Sequence, residues 1–375
     1  MTNGKYIWLP VMVFTMIQAC ENKETVGHFD WQQFPQVPDP VGFAGSFAGV
    51  SNGHLLVAGG ANFPEGTRPW TEGKKQWNDR VFALGEGADR WEGIGKLPRS
   101  MGYGVSVVWR DTVIMIGGAD RERHYAEVYA IQYAEGMLQI SQMPSLPTPL
   151  ANACGALVND VIYVAGGLVS PTDTIASGAF FALDLTKPAS ERQWETLETW
   201  PGAPRMLAVA GAIDDDFYLF SGVSLTVNPG DSLPTRTYLV DAFRFEPQAG
   251  WTKIADLPRA AAAAPSPAFA APHDNLLVFG GDDGRLAPQS ATLKDRHPGF
   301  STDIQAYNPV TDTWDVDGTL PIDKQENPEN EPNASTWAPV TTTSAVWNGQ
   351  YVLPMGEVRP GVRTNRVLAV EYDAK

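Results

Sequence analysis

An all-β fold, a six-bladed propeller, is predicted by three features of the 375-residue sequence. A short apolar strand that ends in glycine recurs six times, most units carry a second strand followed by a tryptophan, and the repeat length is typical of the kelch motif. Charged residues make up only 19% of the chain, which argues against coiled coils and long helices. The sequence therefore predicts one kelch-type β-propeller over residues 25–375.

The glycine-ended strand is expected to be strand b of each blade, where a is the innermost strand and d the outermost. The six copies lie at 55–60, 113–118, 161–167, 217–222, 276–281 and 351–356. A glycine at the strand end lets the backbones of neighbouring elements approach closely. The small, apolar stretch 43–50 precedes the first copy, and we expect it to be a strand a beside the crowded central channel.

Strands c and d are marked by an aromatic residue that is followed by a tryptophan. The pairs are Phe82 and Trp91, Phe181 and Trp194, Phe243 and Trp251, and Tyr307 and Trp314. The second unit lacks the tryptophan. The sixth unit stops at 367–372, and its missing strand with Trp31 lies at the other end of the chain, in 29–34. The N-terminal strand is therefore expected to complete the last blade, which closes the ring and removes free sheet edges.

Two segments depart from this pattern. The alanine run 260–264 has helical propensity, but Pro258 and Pro265 beside it indicate a connection between strand d of one blade and strand a of the next. Residues 321–339, rich in Asn, Glu and Pro, form an insertion in the sixth unit. A solvated loop is the favoured interpretation, and a substrate lid is the alternative.

The first twenty residues are expected to be an export signal. Lys5 precedes an apolar run at 7–17, which is too short to span a bilayer and suits a secretory signal. Cys20 after Ala19 resembles the cleavage site of a bacterial lipoprotein, in which Cys20 would be lipidated; a plain signal peptide is the alternative. The mature protein would lie in the periplasm or on the outer membrane of a bacterium and would touch the membrane only through this lipid.

Charge and cysteine content exclude several classes of function. The net charge of −16 and the pI of about 4.7 argue against nucleic acid as a partner, because neutralising phosphates requires clusters of Lys and Arg. Cys20 and Cys154 are too few for a CxxC zinc site or a disulfide scaffold, and we expect Cys154 to pack in the core. The five histidines have no metal-ligand spacing, so no metal site is expected.

The most specific feature is the segment 356–364, which follows the sixth glycine. In a propeller, the b–c loops and the d–a connections emerge on one face, and residues from several blades meet at the channel mouth. Glu357 and Arg363 flank a Pro360–Gly361 turn, so a short, stiff loop would present both side chains to the channel. A carboxylate can act as a general base, and an arginine can bind a substrate carboxylate. The alternative is an ion pair that only tightens the loop.

Further candidates for substrate contact lie in loops of the same face. They are Arg99, Tyr103, Asn62, Phe63, Lys74, Asn152 and Arg205. The arginines would supply the local positive charge with which an acidic protein binds an anionic ligand. The alternative for each residue is a hydrogen bond between a loop and a blade.

Three stretches of the sequence carry a family resemblance. The segment 356–364, Gly-Glu-Val-Arg-Pro-Gly-Val-Arg-Thr, closely resembles the signature loop of bacterial N-acetylneuraminate epimerases, also called sialic acid mutarotases. Residues 42–63, with Gly-Phe-Ala-Gly-Ser-Phe-Ala-Gly, and 99–106 are similar to the same family. The family's Gly-Glu…Arg-Thr loop precedes its Phe-Ala-Gly blade, whereas in this chain it follows that blade. The chain therefore resembles a cyclically permuted member, which a closed ring tolerates.

The resemblance implies an isomerase that interconverts the α and β anomers of N-acetylneuraminate, without a metal or an organic cofactor. Glu357 matches the family's catalytic carboxylate, a proton acceptor, and Arg363 matches its active-site arginine. Two alternatives remain open. One is a non-catalytic propeller that binds a glycan or a protein at the cell surface, and the other is a mutarotase for a different sugar acid.

Overall fold

Six antiparallel sheets of four strands form the blades of a propeller. The computed structural model describes Met1 and residues 28–64, 67–230, 233–272, 275–325 and 332–373. The predicted all-β, six-bladed fold is confirmed. The expected export signal and Cys20 lie outside the described residues.

Each blade runs from strand a at the channel to strand d at the outside, in that order. Blade one consists of Phe47–Ser51, His54–Ala58, Arg80–Leu84 and Glu92–Lys96. Blade two consists of Val105–Trp109, Thr112–Ile116, Val128–Ala134 and Met137–Met143. Blade three consists of Cys154–Val158, Val161–Ala165, Phe180–Asp184 and Glu195–Thr196. Blade four consists of Val209–Ile213, Asp216–Phe220, Ala242–Glu246 and Gly250–Ile254. Blade five consists of Phe269–Ala271, Asn275–Phe279, Asp303–Asn308 and Thr313–Thr319. Blade six consists of Ala345–Trp347, Gln350–Arg359, Val362–Asp373 and His28–Phe34.

Smaller elements decorate the loops. Two b–c loops contain short hairpins, Ala61–Asn62 with Gln76–Trp77 and Val223–Thr226 with Thr235–Tyr238. The helical turns are Pro69–Thr71, Ala189–Glu191, Ala287–Gln289, Ser290–Leu293, Lys294–Arg296 and Pro332–Ala334. No helix in the described part of the chain has the length and hydropathy needed to cross a bilayer.

Blade six joins the two ends of the described chain. Its outermost strand, His28–Phe34, pairs antiparallel with strand c along its whole length, beginning with His28 opposite Asp373. Trp31 of this strand packs edge-on against Phe279 of blade five, with ring centres 6.0 Å apart. The predicted closure of the ring by the N-terminal strand is therefore confirmed.

A ring of backbone hydrogen bonds surrounds the channel, with one residue from each d–a connection. Its members are Gly45, Tyr103, Asn152, Leu207, Ala263 and Thr341. Each N–H donates to the carbonyl oxygen of the preceding member at 2.7–2.8 Å, and Gly45 completes the circle by donating to Thr341. All six have φ between 50° and 66°, a conformation that costs energy for every member except glycine. The closed circle fixes the six connections relative to one another at the channel mouth.

Tryptophans in or directly before strand d connect neighbouring blades. The indole N–H groups of Trp91, Trp194 and Trp314 donate to backbone carbonyls of the preceding blade at 2.7, 2.8 and 2.9 Å. Blade two lacks this tryptophan, as the sequence indicated, and Leu138 packs instead against Gly95 of blade one. Each interface between blades is thus a separate apolar core.

Three local expectations are confirmed. The alanine run 260–264 has no helix and connects blades four and five. Cys154 is buried, and burial raises the pKa of its thiol to about 12, as suits a core residue. The segment 43–50 supplies strand a of blade one, although the strand itself is Phe47–Ser51 and Ala44 forms an isolated bridge to Ala61.

The expectations for two segments of blade six need correction. The predicted loop from Glu357 to Arg363 is a continuation of strands b and c, which run to Arg359 and from Val362. Register shifts around Gly356 (φ 128°) let the ladder bend and continue beyond the blade. The described ends of the insertion 321–339 are not simply solvated, because Trp337 is buried against Val358 and Val362.

Candidate active site

The two strands that extend beyond blade six form a hairpin that carries Glu357 and Arg363. The two residues lie directly opposite each other in the ladder, separated along the chain by the Pro360–Gly361 turn. The Nη1 atom of Arg363 lies 3.4 Å from Oε1 of Glu357. The same oxygen accepts a hydrogen bond from the Gly361 N–H at 2.7 Å. The carboxylate is therefore held by a charge and by a backbone donor, as pre-organised sites require.

The backbone places Glu357 at the channel mouth. Its N–H and carbonyl exchange hydrogen bonds of 2.9 and 2.8 Å with Val340, the residue before Thr341 of the hydrogen-bonded ring. The side chain of Glu357 is 19% exposed, whereas that of Arg363 is 2% exposed. The carboxylate is therefore partly accessible to solvent, whereas the guanidinium is buried.

Arg363 is surrounded by protein groups. Its guanidinium lies over the Phe63 ring, 5.2 Å from the ring centre, and its Nη2 donates to the Tyr103 hydroxyl at 3.4 Å. Burial acts to lower the pKa of Arg363, but Glu357 and Tyr103 outweigh it and the pKa is raised. The guanidinium thus remains a permanent positive charge beside the carboxylate. The structure brings Phe63 and Tyr103, both predicted from sequence, to this pair.

The lysine near the pair is Lys75. Its Nζ lies 4.7 Å from the centre of the Tyr103 ring and 5.5 Å from that of Trp77. The neighbouring Lys74, which sequence analysis selected, is exposed. Sequence analysis missed Lys75. Residues 75 and 77 point to the same side of an extended backbone, and this spacing could have indicated that the lysine lies beside Trp77.

The channel below the mouth is lined by small and polar residues. The cavity has a volume of about 70 Å³, and Tyr103, Asn152, Ser106 and Ser266 are among the residues that line it. Tyr103 connects this cavity to the Glu357–Arg363 pair, because its hydroxyl accepts a hydrogen bond from Arg363.

Contacts from other blades hold the outer side of the hairpin, and sequence analysis missed them. The guanidinium of Arg359 donates to the backbone carbonyl of Asp295 and lies over the Trp337 ring, 5.0 Å from its centre. The carboxylate of Asp295 accepts hydrogen bonds from Arg68 Nε at 3.2 Å and Trp70 Nε1 at 3.1 Å. Blades one and five and the insertion therefore all fix the position of Glu357.

A buried histidine lies behind the hairpin. Burial lowers the pKa of His297, against the opposing influence of Asp282 and Glu357, while Arg359 lowers it further. Its Nδ1 accepts a hydrogen bond from the Gly299 N–H at 3.2 Å. In the ranges that the structure describes, no group of three His, Cys, Asp or Glu side chains is placed to hold a metal ion. His297 is therefore a packed side chain in this structure.

Comparison with known proteins places the chain in a family. Residues 17–140 and 143–286 match the family model described as N-acetylneuraminate epimerase, and together they cover more than two thirds of the chain. The chain belongs to the N-acetylneuraminate epimerase family. The hairpin with Glu357 and Arg363 lies beyond both matched segments, so its role rests on the motif and the geometry. The cyclic permutation suggested by the order of the motifs stays a prediction.

Epimerases of this name are similar to the chain over part of their length. The N-acetylneuraminate epimerase of Haemophilus influenzae strain PittEE is 38% identical over 127 residues, 30% of this chain and 33% of that protein. The N-acetylneuraminate epimerase of Salmonella enteritidis PT4 (strain P125109) is 46% identical over 85 residues, 20% of this chain and 22% of that protein. The chain thus spans about a third or less of these curated relatives.

A solved structure extends the likeness in fold. The structure of YjhT covers 91% of this chain and 99% of its own length, with a TM-score of 0.61 and 16% sequence identity. At that identity the likeness shows the propeller fold alone.

Three other predicted site residues of this epimerase-family chain have partners other than Glu357 and Arg363. Asn62 donates through Nδ2 to the Gly42 carbonyl at 3.0 Å and so supports a turn. Asn152 belongs to the hydrogen-bonded ring and lines the channel. Arg99 pairs with Glu127 at 3.2 Å. Of these three residues, Asn152 lines the cavity.

Arg205 needs a correction. The residue was expected among the substrate-binding arginines, but its side chain is fully buried, with 0% exposure. Its Nη1 and Nη2 lie 2.8 and 2.9 Å from the two carboxylate oxygens of Asp241. Arg205 therefore links the connection before blade four to that blade and has no surface for a ligand.

Gly42 is a position where substitution would move the site in this epimerase-family protein. Its φ is +79°, and a Cβ atom would lie 1.9 Å from the carbonyl oxygen of Thr364, the neighbour of Arg363. We expect Gly42→Ala to reduce the free energy of unfolding by about 2–4 kcal/mol, measured by urea denaturation, because backbone strain and overpacking add. Gly87→Ala is the control, since Gly87 has φ +68° with open space around it. Equal losses of about 1 kcal/mol in both variants would rule out the clash with Thr364.

Proposed function

We propose that this protein is a mutarotase that interconverts the α and β anomers of N-acetylneuraminate. The observation that carries the proposal is the Glu357–Arg363 pair, which lies at the mouth of a polar channel with the carboxylate accessible. Membership of the N-acetylneuraminate epimerase family and the names of the similar proteins supply the substrate. The cyclic order of the motifs is part of the same proposal.

The reaction requires only proton transfers. Glu357 takes the proton of the anomeric hydroxyl, directly or through one water, while the ring oxygen is protonated and its bond to the anomeric carbon breaks. The open keto acid then turns its other carbonyl face to the ring hydroxyl, and the reverse transfers close the ring. Charges and atoms balance: the proton gained by Glu357 returns to the new anomeric hydroxyl, and the proton given to the ring oxygen by its donor returns to that donor when the ring closes. A positioned general base contributes roughly 10²–10⁴-fold to such a step.

Two residues are assigned to support Glu357. The buried Arg363 guanidinium lies 3.4 Å from the carboxylate and helps to hold it in position. The hydroxyl oxygen of Tyr103 accepts a hydrogen bond from Arg363, so the Tyr103 O–H remains able to donate to the ring oxygen of the sugar. Both roles are expectations from the geometry of the mouth.

Anomer exchange measured by proton NMR tests the proposal. A sialidase releases α-N-acetylneuraminate from a sialoside, and the conversion to the β anomer is timed with and without the purified protein. Faster conversion than in buffer supports the mutarotase. Conversion at the spontaneous rate, with acceleration of another sugar acid, would retain the mechanism and change the substrate.

We further propose that residues 1–20 are an export signal and that Cys20 is lipidated, which would place the protein in the periplasm or on the outer membrane. The apolar run and the Ala19–Cys20 junction support this assignment. We expect a bacterial host that expresses the chain to incorporate labelled palmitate into it, and Cys20→Ser to abolish the label. Unlabelled, secreted protein in the wild type would instead indicate a plain signal peptide.

A further inference from the structure

We infer that Lys75, and not Arg363, is the cation that binds the carboxylate of the sugar acid. The inference rests on the proposed function, because it assigns a substrate contact at the same site. It concerns a residue that the sequence motifs did not select.

The guanidinium of Arg363 is enclosed by protein groups. Arginine binds a carboxylate through two N–H groups on one edge. In this site Nη1 faces Glu357 and Nη2 donates to Tyr103, each at 3.4 Å. The Nε and Nη1 atoms make no hydrogen bond to the described residues, but both are shielded from solvent, and Phe63 lies against the guanidinium. A sugar carboxylate could reach Arg363 only by displacing these neighbours.

Lys75 has the opposite properties. Its side chain is half-buried, and its Nζ lies over the rings of Tyr103 and Trp77 at 4.7 and 5.5 Å from their centres. Cation–π contacts of this length hold an ammonium in place and leave its N–H groups able to bind an anion. Within the described ranges of the chain, the ion pairs do not include Lys75. The lysine is therefore a positioned cation at the mouth.

The charges at the mouth match a single carboxylate. Glu357 and Arg363 neutralise each other as an ion pair, so Lys75 adds one net positive charge in a protein whose net charge is −16. A local positive charge raises the concentration of an anionic substrate at the site. One sugar acid brings one negative charge, which Lys75 can pair.

Tyr103 connects this cation to the chemistry. Its ring contacts Lys75, and its hydroxyl contacts Arg363, which in turn pairs with Glu357. In N-acetylneuraminate the carboxylate is attached to the anomeric carbon itself. A carboxylate bound at Lys75 therefore places the anomeric hydroxyl beside Tyr103, within the span between Lys75 and Glu357. Lys75 would thus orient the sugar as well as attract it.

Lys75→Gln and Lys74→Gln form a matched pair for the test. Both remove one positive charge from adjacent residues, and the structure places the exposed Lys74 outside the site. Binding of equilibrated N-acetylneuraminate is measured by saturation-transfer NMR, and kcat and KM by anomer exchange. We expect Lys75→Gln to weaken binding and raise KM about 10- to 100-fold with little change in kcat, as for the loss of one charge-assisted contact. Lys74→Gln should behave as wild type, and Lys75→Arg should recover part of the affinity.

The C1 methyl ester of the sugar tests whether Lys75 recognises the negative charge of the carboxylate, because the ester keeps the sugar ring but has no charge at C1. The wild type should bind the ester as weakly as Lys75→Gln binds the acid, and Lys75→Gln should not distinguish ester from acid. Equal affinity of the two lysine variants for the acid would overturn the inference. If the wild type binds the acid but does not accelerate exchange, the proposed function fails while the binding comparison still decides the role of Lys75. A wild type that does not bind the acid overturns both.

Discussion

Glu357→Gln is expected to slow anomer exchange by roughly 10²–10⁴-fold in kcat, the contribution of one positioned general base. Glutamine has the size of glutamate, and its amide oxygen can still accept the Gly361 N–H hydrogen bond that is 2.7 Å long in the wild type. The hairpin should therefore keep its shape while the proton acceptor and the charge opposite Arg363 are lost. Exchange is followed by proton NMR after sialidase release of the α anomer.

The control for this variant is Glu371→Gln. Glu371 lies on strand c of the same blade and is exposed, opposite Asp30 of the N-terminal strand. It should retain wild-type exchange and the wild-type unfolding temperature. Glu357→Gln should unfold at a lower temperature, because the buried Arg363 loses its opposite charge, so exchange is compared below the unfolding temperature of every variant. Acceleration that survives Glu357→Gln, in a wild type that is active, would transfer the role of base to another residue.

Arg205→Met is expected to give the largest loss of stability, about 3–5 kcal/mol in the free energy of unfolding. The guanidinium of Arg205 donates to both carboxylate oxygens of Asp241 and to the Ser221 carbonyl at 2.9 Å. It also lies over the rings of Trp200 and Phe243, 5.6 and 5.2 Å from their centres. Methionine fills part of the volume but leaves the carbonyl and the carboxylate without a donor. Urea denaturation measures the loss as a lower midpoint.

Arg192→Met is the matched control for Arg205. Arg192 also donates to two backbone carbonyls, at 3.0 and 2.9 Å, but it is partly exposed, so water can replace the lost donor. We expect this variant to lose about 1 kcal/mol. A destabilisation of the same size in both variants would contradict the structural role of Arg205. If Arg205→Met were as stable as the wild type but had a raised KM, Arg205 would contact the substrate, as the sequence analysis suggested.

The fold could be predicted from the sequence because each blade repeats a local pattern. Glycine pairs such as Gly59–Gly60 follow strand b in four of the six blades, and Ser221–Gly222 and Met355–Gly356 take their place in the other two; all of these residues adopt positive φ. The aromatic strand with Trp31 showed which blade the N terminus completes. These features lie within one repeat or in one strand, so period and residue type are sufficient to find them.

The site could be predicted only where its parts lie close in sequence. Glu357 and Arg363 share one hairpin, and spacing alone brought them together. The contacts of Lys75 with Tyr103 and of Asp295 with Arg68 join different blades, so they depend on the geometry of the closed ring. Burial is also set by that geometry, which is why an arginine in an exposed-looking connection, Arg205, proved to be internal.

Nothing in the local sequence indicates the hydrogen-bonded ring. Leu207, Ala263 and Thr341 adopt positive φ although such residues disfavour it. The six mutual hydrogen bonds compensate for that cost, and they exist only when all six blades are in place. The backbone preferences of the individual residues would therefore predict negative φ at these three positions.

The shared blade has a consequence for how the protein is made. During synthesis the strand His28–Phe34 emerges first, whereas its partner Val362–Asp373 emerges after all the other strands. The early strand keeps its aromatic side chains unpartnered until Val362–Asp373 has been made. The hairpin that contains Val362–Asp373 then supplies both the missing partner and the Glu357–Arg363 pair. The pair and the sealed ring therefore arise in the same folding event, and a chain truncated before Val362 would hold neither.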